Sequence, residues 1–109
     1  MHVSRENNLI TLINVFETKP EQQQVLLDQL SRFAEDVLEE PGMIGAALHR
    51  STDGTRVVNY AQWRSEEDLD RFVKKYREQM GALLLLAERA DAHVYKVASL
   101  SEPAGKEKP

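Results

Sequence analysis

The chain has 109 residues, of which 41% are hydrophobic and 29% charged, and this composition is typical of one compact globular domain rather than of a disordered chain. Its net charge of −4 comes without a sustained positive stripe, which argues against nucleic acid as a partner. Because the sequence has no cysteine, it excludes a disulfide framework, a thiolate nucleophile and any cysteine-based zinc site.

The first half of the chain predicts a strand, a helix and a second strand. Residues 8–17 are rich in β-branched and apolar side chains, which suit a buried pleated surface, and Pro20 blocks their continuation. From Pro20 to about Glu39, apolar side chains recur at helical spacing opposite a polar side. Pro41 and Gly42 end this amphipathic helix, and the apolar residues 43–50 fit a second strand.

The second half predicts a hairpin, another helix and a last strand. Asp53-Gly54 precedes the strand pattern of residues 56–63, and this dipeptide readily takes the positive φ angles of a tight antiparallel hairpin. Ser65 can cap a second amphipathic helix whose first turn is acidic. We expect residues 82–87 to form a buried helical turn and residues 93–100 to form the final strand.

The element order β-α-β-β-α-β predicts an α+β, ferredoxin-like fold with an antiparallel sheet. Neither strand one nor strand three has a frankly solvated face, whereas two helices can cover only one side of a four-stranded sheet. We therefore expect a second copy of the chain to cover the other side, so that the protein is a homodimer.

The ends of the chain and its apolar runs bear on location. Residues 1–8 are polar, and the longest apolar run, residues 82–87, is far too short to span a bilayer. We therefore expect no membrane partner and a cytoplasmic location. Residues 1–100 are expected to form the domain, and residues 101–109 a flexible C-terminal tail.

Several common catalytic motifs are missing from the sequence. His2, His49 and His93 lie far apart and form no HExxH-like pair, so we expect no metal site. For His49 and His93, which fall in predicted strands, a hydrogen-bonded structural role is the favoured interpretation. The sequence has no G-x-S-x-G elbow, P-loop or G-x-G-x-x-G fingerprint, which excludes the common hydrolases and nucleotide enzymes that depend on them.

Three polar side chains in the predicted strands are candidates for a site. Asn14 lies between Leu12 and Phe16 on one strand face, and an unpaired buried amide costs about 1–3 kcal/mol. Asn59 and Trp63 share a face of strand three, roughly 13 Å apart at about 3.3 Å per residue. They can line a pocket between sheet and helices. Alternatively, Trp63 is a core aromatic and the asparagines satisfy the ends of the hairpin, and periodicity alone leaves both interpretations open.

Residues 41–63, PGMIGAALHRSTDGTRVVNYAQW, resemble the antibiotic biosynthesis monooxygenases, most of all their small quinone-forming members of the actinorhodin type. The stretch STDGTRVVNYAQW is the most specific part, and the likeness is looser over residues 8–38 and the final strand. This resemblance implies a dimeric α+β barrel. It also implies oxidation of a small aromatic substrate, an anthrone-like or naphthacenone-like phenol, to a quinone with molecular oxygen and without a metal or other cofactor.

The same resemblance implies the site residues. The family's strand-three asparagine and tryptophan fall on Asn59 and Trp63, and a first-strand asparagine of some members falls on Asn14. Together these three are the expected catalytic residues. The substrate pocket is expected to be lined by Leu12, Phe16, Leu69, Phe72 and Tyr76.

Two departures from the family pattern keep other functions open. Leu69 stands where the actinorhodin-type enzyme has a functional tyrosine, and Val73 lies near the place of the iron-ligating histidine of haem-degrading relatives. The first departure leaves the substrate open, and the second argues against haem. A different small-molecule enzyme on the same fold, or a non-catalytic protein that binds an aromatic metabolite, stays as an alternative to a monooxygenase.

Overall fold

The computed structural model describes residues 9–104, which form a four-stranded antiparallel sheet with helices packed on one face. The strand order is β2-β3-β1-β4. The elements are β1 (Ile10–Glu17), α1 (Gln23–Asp36), β2 (Met43–Arg50), β3 (Arg56–Trp63), α2 (Glu66–Lys75), α3 (Arg77–Leu84) and β4 (Arg89–Tyr95). This architecture confirms the predicted ferredoxin-like α+β class. None of the described helices is long and apolar enough to cross a membrane.

Both predicted helices differ from the structure at their ends. Pro20–Gln22 form a separate 3-10 turn, so that α1 begins at Gln23 and not at Pro20. Its C-terminal limit is Asp36, because Val37 leaves the helical conformation at φ −108° and ψ 8°. The second helix is interrupted at Tyr76, with φ −109° and ψ 21°, and therefore consists of α2 and α3.

The final strand is present as predicted, but its predicted bounds were wrong. That strand is Arg89–Tyr95 rather than residues 93–100, and residues 96–103 have no regular structure. Its register is set by β1, because Arg89 lies opposite Glu17 and the ladder ends with Tyr95 opposite Thr11. The backbone N–H of Glu88 donates to the carbonyl of Glu17 at 2.8 Å, which starts the pairing directly after the α3 turn. Pairing with β1 therefore places β4 four residues earlier in the chain than the local sequence pattern predicts.

Some predictions at the two ends of the chain fall outside residues 9–104. The predicted first strand begins at Ile10 in the structure, and Asn8 lies outside the described residues. His2 and residues 105–109 of the expected tail also lie outside the described residues.

The expectation of a buried turn at residues 82–87 was also wrong. Leu84 and Leu85 are exposed, Leu85 to 86%. Only Leu83 and Ala87 of this run pack against the core. Their spacing of four residues places them on one side of a helical path, which leaves the other apolar residues turned away from the sheet.

The sheet register brings one row of side chains across all four strands. Asn14 of β1 lies opposite Asn59 of β3. On the outer sides, Ala92 of β4 lies opposite Asn14, and Leu48 of β2 lies opposite Asn59. We call Leu48, Asn59, Asn14 and Ala92 the asparagine row.

The core lies between the sheet and the helices as two clusters, one on each side of the asparagine row. Along β3, Val57 belongs to one cluster and Ala61 to the other, with Asn59 between them. The first cluster contains Ile10, Val37, Ala61, Trp63, Leu69 and Phe72. The second contains Phe16, Leu26, Leu30 and Val57.

Helix α3 connects the two clusters. Met80 packs against the first cluster, and Leu83, less than one helical turn later, packs against the second. No residue of α3 is fully buried, so this helix lies on the molecule as a partly exposed cover. Helix α3 therefore packs against residues on both sides of the asparagine row.

The hairpin between β2 and β3 closes through its own side chains. Ser51 Oγ accepts from the backbone N–H groups of Thr55 and Arg56, and Asp53 Oδ1 accepts from that of Thr55. Gly54 has φ +82°, the left-handed conformation that the predicted Asp-Gly turn supplies. These bonds lower the pKa of Asp53 to about 2, chiefly through the hydroxyl and backbone N–H of Thr55.

Candidate functional site

Asn14 and Asn59 form the centre of the candidate site. They are direct cross-strand neighbours on the helix-covered face of the sheet, where opposed side chains have Cβ atoms about 4.5–5.5 Å apart. Trp63, which lies opposite Ile10, is on this face as well, because alternate residues of a strand point to the same side of the sheet. All three expected catalytic residues therefore project into the same layer between sheet and helices.

Two polar atoms of this layer lack partners. Asn14 Oδ1 and Trp63 Nε1 are buried, and neither has a hydrogen-bond partner among residues 9–104. A buried polar group without a partner costs about 1–3 kcal/mol. The asparagines do not satisfy the ends of the hairpin, because Ser51 and Asp53 accept its backbone hydrogen bonds. The interpretation that the asparagines satisfy the hairpin is therefore unsupported. One acceptor, Asn14 Oδ1, and one donor, Trp63 Nε1, remain without a partner in this layer.

Trp63 itself is a core residue in the conformation described. Its side chain is 1% exposed, and its ring lies 4.8 Å from that of Phe72 between centroids. Phe72 in turn contacts Tyr76 with the rings tilted by 42° and their centroids 5.0 Å apart. A ligand can reach the indole N–H only if side chains beneath α2 and α3 move apart.

The five residues expected to line the pocket are divided between the two clusters. Leu69 and Phe72 are buried with Trp63, and Leu12 and Tyr76 pack against this first cluster. Phe16 belongs to the second cluster, beyond the asparagine row. These side chains thus pack against one another within each cluster, and the asparagine row separates the two groups.

Sequence reasoning missed a cluster at the edge of this layer. Tyr76 Oη donates to Glu40 Oε1, and Lys75 Nζ donates to the same oxygen at 2.8 Å. Lys75 and then Tyr76 lower the pKa of Glu40, and the bond to Glu40 raises the pKa of Tyr76. The phenol is therefore held protonated and is unsuited to act as a base. No sequence signal marks the cluster, because Glu40 lies 35 residues from Lys75.

The buried carboxylate of Asp68 has a structural role. Asp68 is 5% exposed and accepts hydrogen bonds from Arg64 at 2.9 Å, Arg71 at 2.7 Å and the Ser65 hydroxyl at 3.0 Å. Hydrogen bonds from Arg64 and then Arg71 lower the pKa of Asp68 to about 2. Its own backbone N–H donates to Ser65 Oγ at 3.1 Å, which confirms Ser65 as the N-cap of α2. Asp68 therefore joins the helix start to the preceding strand end.

Neither histidine of the described chain faces the asparagine row. His93 lies on the opposite face of the sheet, where its Nε2 contacts Asp91 Oδ1 at 2.8 Å, and His49 is exposed on that face as well. Within residues 9–104 no three histidine or carboxylate side chains are grouped to hold a metal ion. Because Leu48 and Ala92 flank the asparagines, the row itself contains amide donors and acceptors but no titratable base.

A surface depression of about 440 Å³ lies elsewhere, along α2 and α3. Its lining is charged and polar and has no aromatic wall, which makes it a poor site for an apolar ligand. The lining residues are Lys74, Lys75, Arg77, Glu78 and Gln79.

The family model described as "Antibiotic biosynthesis monooxygenase" matches residues 9–79, which include β1 to α2 and all three candidate residues. The chain belongs to the antibiotic biosynthesis monooxygenase family. Membership confirms the resemblance seen in residues 41–63.

Named relatives agree with this membership. Tetracenomycin-F1 monooxygenase of Streptomyces glaucescens is 49% identical over 67 residues, which are 61% of this chain and 60% of that protein. The match thus spans less than two thirds of that relative's length.

Solved structures resemble this chain over most of its length. The monooxygenase from the gene ActVA-Orf6 of Streptomyces coelicolor, solved with nanaomycin D, is 29% identical with a TM-score of 0.67, over 89% of this chain and 93% of that one. A point mutant of the cofactor-independent oxygenase SnoaB of Streptomyces nogalater is 17% identical with a TM-score of 0.70, over 85% and 96%. At that identity SnoaB shows the shared fold alone.

Proposed function

We propose that this protein is a cofactor-independent monooxygenase that oxidises a polycyclic phenol of the anthrone type to a quinone with molecular oxygen. The observation that carries the proposal is the pair of unpartnered atoms, Asn14 Oδ1 and Trp63 Nε1, in the layer that also holds Asn59. Family membership and the likeness to a tetracenomycin-F1 monooxygenase support the reaction class.

The site residues suit the ionised form of such a substrate. A phenol hydroxyl can donate to Asn14 Oδ1, while the amide of Asn59 and the indole N–H of Trp63 can donate to an oxygen that gains negative charge. These donors are stronger in an apolar layer than in water. Because the row holds no base, the substrate must be acidic enough to ionise in the site, which favours anthrones and hydroquinones over simple arenes.

The electrons come from the substrate in this mechanism. Triplet oxygen reacts poorly with closed-shell molecules, but an anthrone carbanion can pass it one electron, and the resulting radical pair can recombine into a peroxide. Loss of water from that peroxide converts the CH₂ of the anthrone and O₂ into a ketone and H₂O. The protein contributes binding, stabilisation of the anion and exclusion of bulk water.

The test is oxygen uptake by chelator-treated protein with 1,8-dihydroxyanthrone, corrected for the uncatalysed reaction. Asn59→Ala is expected to lower turnover by about 10- to 150-fold, the equivalent of about 1.5–3 kcal/mol for a hydrogen bond to an anion. The matched control is Gln24→Ala, which removes an exposed amide that bonds only Asp28 on α1. Equal turnover of Asn59→Ala and the control would contradict the proposal, as would activity that chelation abolishes and iron restores.

A non-catalytic aromatic-binding protein is the second candidate. It is favoured by Leu69 at the place of a family tyrosine and by the burial of Trp63, which is 1% exposed. Saturable binding of the anthrone without oxygen uptake would support this function in place of catalysis.

We also propose that the working form is a homodimer. The face of the sheet away from the helices, which we call the open face, carries the half-buried side chains Ile13, Val15, Val58 and Tyr60. The strand residues of both core clusters belong to the other face, so the helices do not cover these four side chains. A second copy of this face is the simplest apolar surface of matching size.

A further inference from the structure

The unpartnered polar atoms of the candidate site are closed off in this conformation. Trp63 is 1% exposed, and both its Nε1 and Asn14 Oδ1 are buried. The indole is part of the first core cluster, whose side chains surround it. A ligand that takes these atoms as partners must therefore first displace side chains of this cluster, and it enters where such displacement disturbs the least buried surface.

The second half of the interrupted helix is the most weakly held cover of this cluster. Helix α3 has no fully buried residue, and it begins at Tyr76 without a side-chain cap. Tyr76 itself has φ −109° and ψ 21°, outside the helical conformation, and residues of this kind at the ends of elements are where hinges lie. Because segments with few buried apolar contacts open locally at a lower free energy than the core, we expect opening at the α2–α3 junction.

A line of aromatic rings connects this junction to the indole. The ring centroids of Trp63 and Phe72 are 4.8 Å apart, and those of Phe72 and Tyr76 are 5.0 Å apart. On the other side, Phe33 of α1 meets Tyr76 edge-on at 5.7 Å. Phe72 is buried whereas Tyr76 is half-buried, so Tyr76 is the outermost ring of the line from Trp63. Phe72 and then Trp63 can become accessible only after Tyr76 moves.

One carboxylate holds the junction in place. Glu40 Oε1 accepts from Tyr76 Oη and from Lys75 Nζ, the latter at 2.8 Å. Its side chain is 16% exposed, so these bonds are better shielded from solvent than those of an ordinary surface ion pair. The two donors are consecutive residues at the junction, whereas Glu40 belongs to the segment between α1 and β2. We call Glu40, Lys75 and Tyr76 the junction cluster.

We propose that Glu40 is a positioning residue that controls access to the candidate site, because its bonds to Tyr76 and Lys75 hold the α2–α3 junction closed over Phe72 and Trp63. The chemical class of the ligand, a flat aromatic molecule, rests on the proposed function. Binding then proceeds from a minor open state, and the apparent affinity is reduced by the fraction of molecules in that state. Weakening the junction cluster should therefore make binding faster and tighter.

Opening can be measured without any ligand, because Trp63 is the only tryptophan of the chain. The readout is quenching of its emission by acrylamide. The variants are Tyr76→Phe, which removes the hydroxyl and keeps the ring, and Glu40→Gln, which keeps an oxygen acceptor without its charge. The matched controls are Tyr60→Phe, which removes a hydroxyl on the open face, and Glu39→Gln, which neutralises the exposed neighbour of Glu40.

Tyr76→Phe is expected to raise the quenching rate constant by about tenfold or more, since a hydrogen bond to a charged group is lost. Glu40→Gln is expected to raise it by about threefold or more, because a neutral acceptor bonds more weakly. Hydrogen exchange should show a matching loss of protection at Arg77–Leu84, while β1 and β3 stay within about twofold of the parent chain. Both controls should also stay within about twofold.

Unchanged quenching in both junction variants would overturn the inference. Equal losses of protection in α3, β1 and β3 would overturn it too, because they would show that the junction cluster stabilises the whole fold and not this cover alone.

Access of an aromatic ligand is tested with 1,8-dihydroxyanthraquinone, a planar product analogue that consumes no oxygen. Its association is followed by stopped-flow through Trp63 emission. Tyr76→Phe is expected to raise the association rate constant, and to lower the apparent Kd, by about the same factor as it raises quenching. A residue that only stabilises the fold would give no such gain. Slower or weaker binding in Tyr76→Phe, or no binding by any of the proteins, would overturn the role of Glu40 in access.

Failure of this inference is distinguishable from failure of the proposed function. If Tyr76→Phe increases quenching and association but the parent chain takes up no oxygen with 1,8-dihydroxyanthrone, control of access stands and the oxygenase activity does not. If the parent chain oxidises the anthrone and the junction variants match it in quenching and association, the activity stands and the role of Glu40 is wrong.

Discussion

At the scale of single residues, Asn14 is a polar group kept at a cost to stability. Its Oδ1 is buried without a partner in the described chain. We expect Asn14→Leu, a change of similar volume, to raise the free energy of unfolding by about 1–3 kcal/mol and to lower turnover of the anthrone. Urea denaturation and oxygen uptake measure the two effects. Loss of stability in this variant would mean that the native amide is satisfied.

Asp68 gives a residue-scale prediction for pH. Its folded pKa is lowered from 3.8 to about 2, so its stabilising effect is fully present above about pH 4 and is lost as pH falls toward 2. The difference in unfolding free energy between the parent chain and Asp68→Asn is expected to be constant above about pH 5 and to shrink below about pH 4. Asp53 titrates in the same range in both proteins and cancels in the difference. A difference that grows on acidification would contradict this origin.

At the scale of elements, two glycines should respond to alanine with opposite signs. Gly42 precedes β2 at φ +89°, and an added Cβ would lie 2.4 Å from the Cβ of Asp68. Gly42→Ala is expected to destabilise the protein by about 2 kcal/mol or more, from left-handed strain together with the clash. Gly81 lies within α3 with open space around it, so Gly81→Ala is expected to stabilise by about 0.5–1 kcal/mol.

Thermal and urea denaturation of the two glycine variants provide the measurement. Because both exchanges add the same methyl group, composition effects cancel in the comparison. Destabilisation by Gly81→Ala would indicate that α3 is not helical at this position. Tolerance of Gly42→Ala would mean that α2 and the loop before β2 do not pack as closely as described.

At the scale of the whole molecule, the open face should hold two copies together. Ile13 lies at its centre, between Tyr60 on β3 and His93 on β4. The parent chain is expected to sediment at twice its 12.4 kDa mass, and Ile13→Glu to shift it to the monomer by placing a charge in an apolar interface. Leu85→Glu, the same kind of change at an exposed leucine of the helical side, is the control and should leave the dimer intact. A monomeric parent chain at micromolar concentration would refute the homodimer.

Much of the fold could be predicted from local sequence. Asp53-Gly54 indicated the hairpin turn, because glycine readily takes the positive φ that this turn requires. Ser65 and the acidic residues after it indicated the start of α2. The period-two pattern of β1 and β3 gave the correct face to Asn14, Asn59 and Trp63. Local patterns succeed here because turns, caps and strand faces depend on residues close together in the chain.

The sequence by itself therefore determined the fold class, the hairpin and the face of the three candidate residues. Only the tertiary structure decided that Asn14 lies opposite Asn59, that Ala92 ends their row at the edge of the sheet, and that β4 begins at Arg89. It also decided that Glu40 binds Tyr76 and Lys75. The physical reason is that strand register and contacts between distant segments are set by long-range pairing and packing, which no local pattern of side chains encodes.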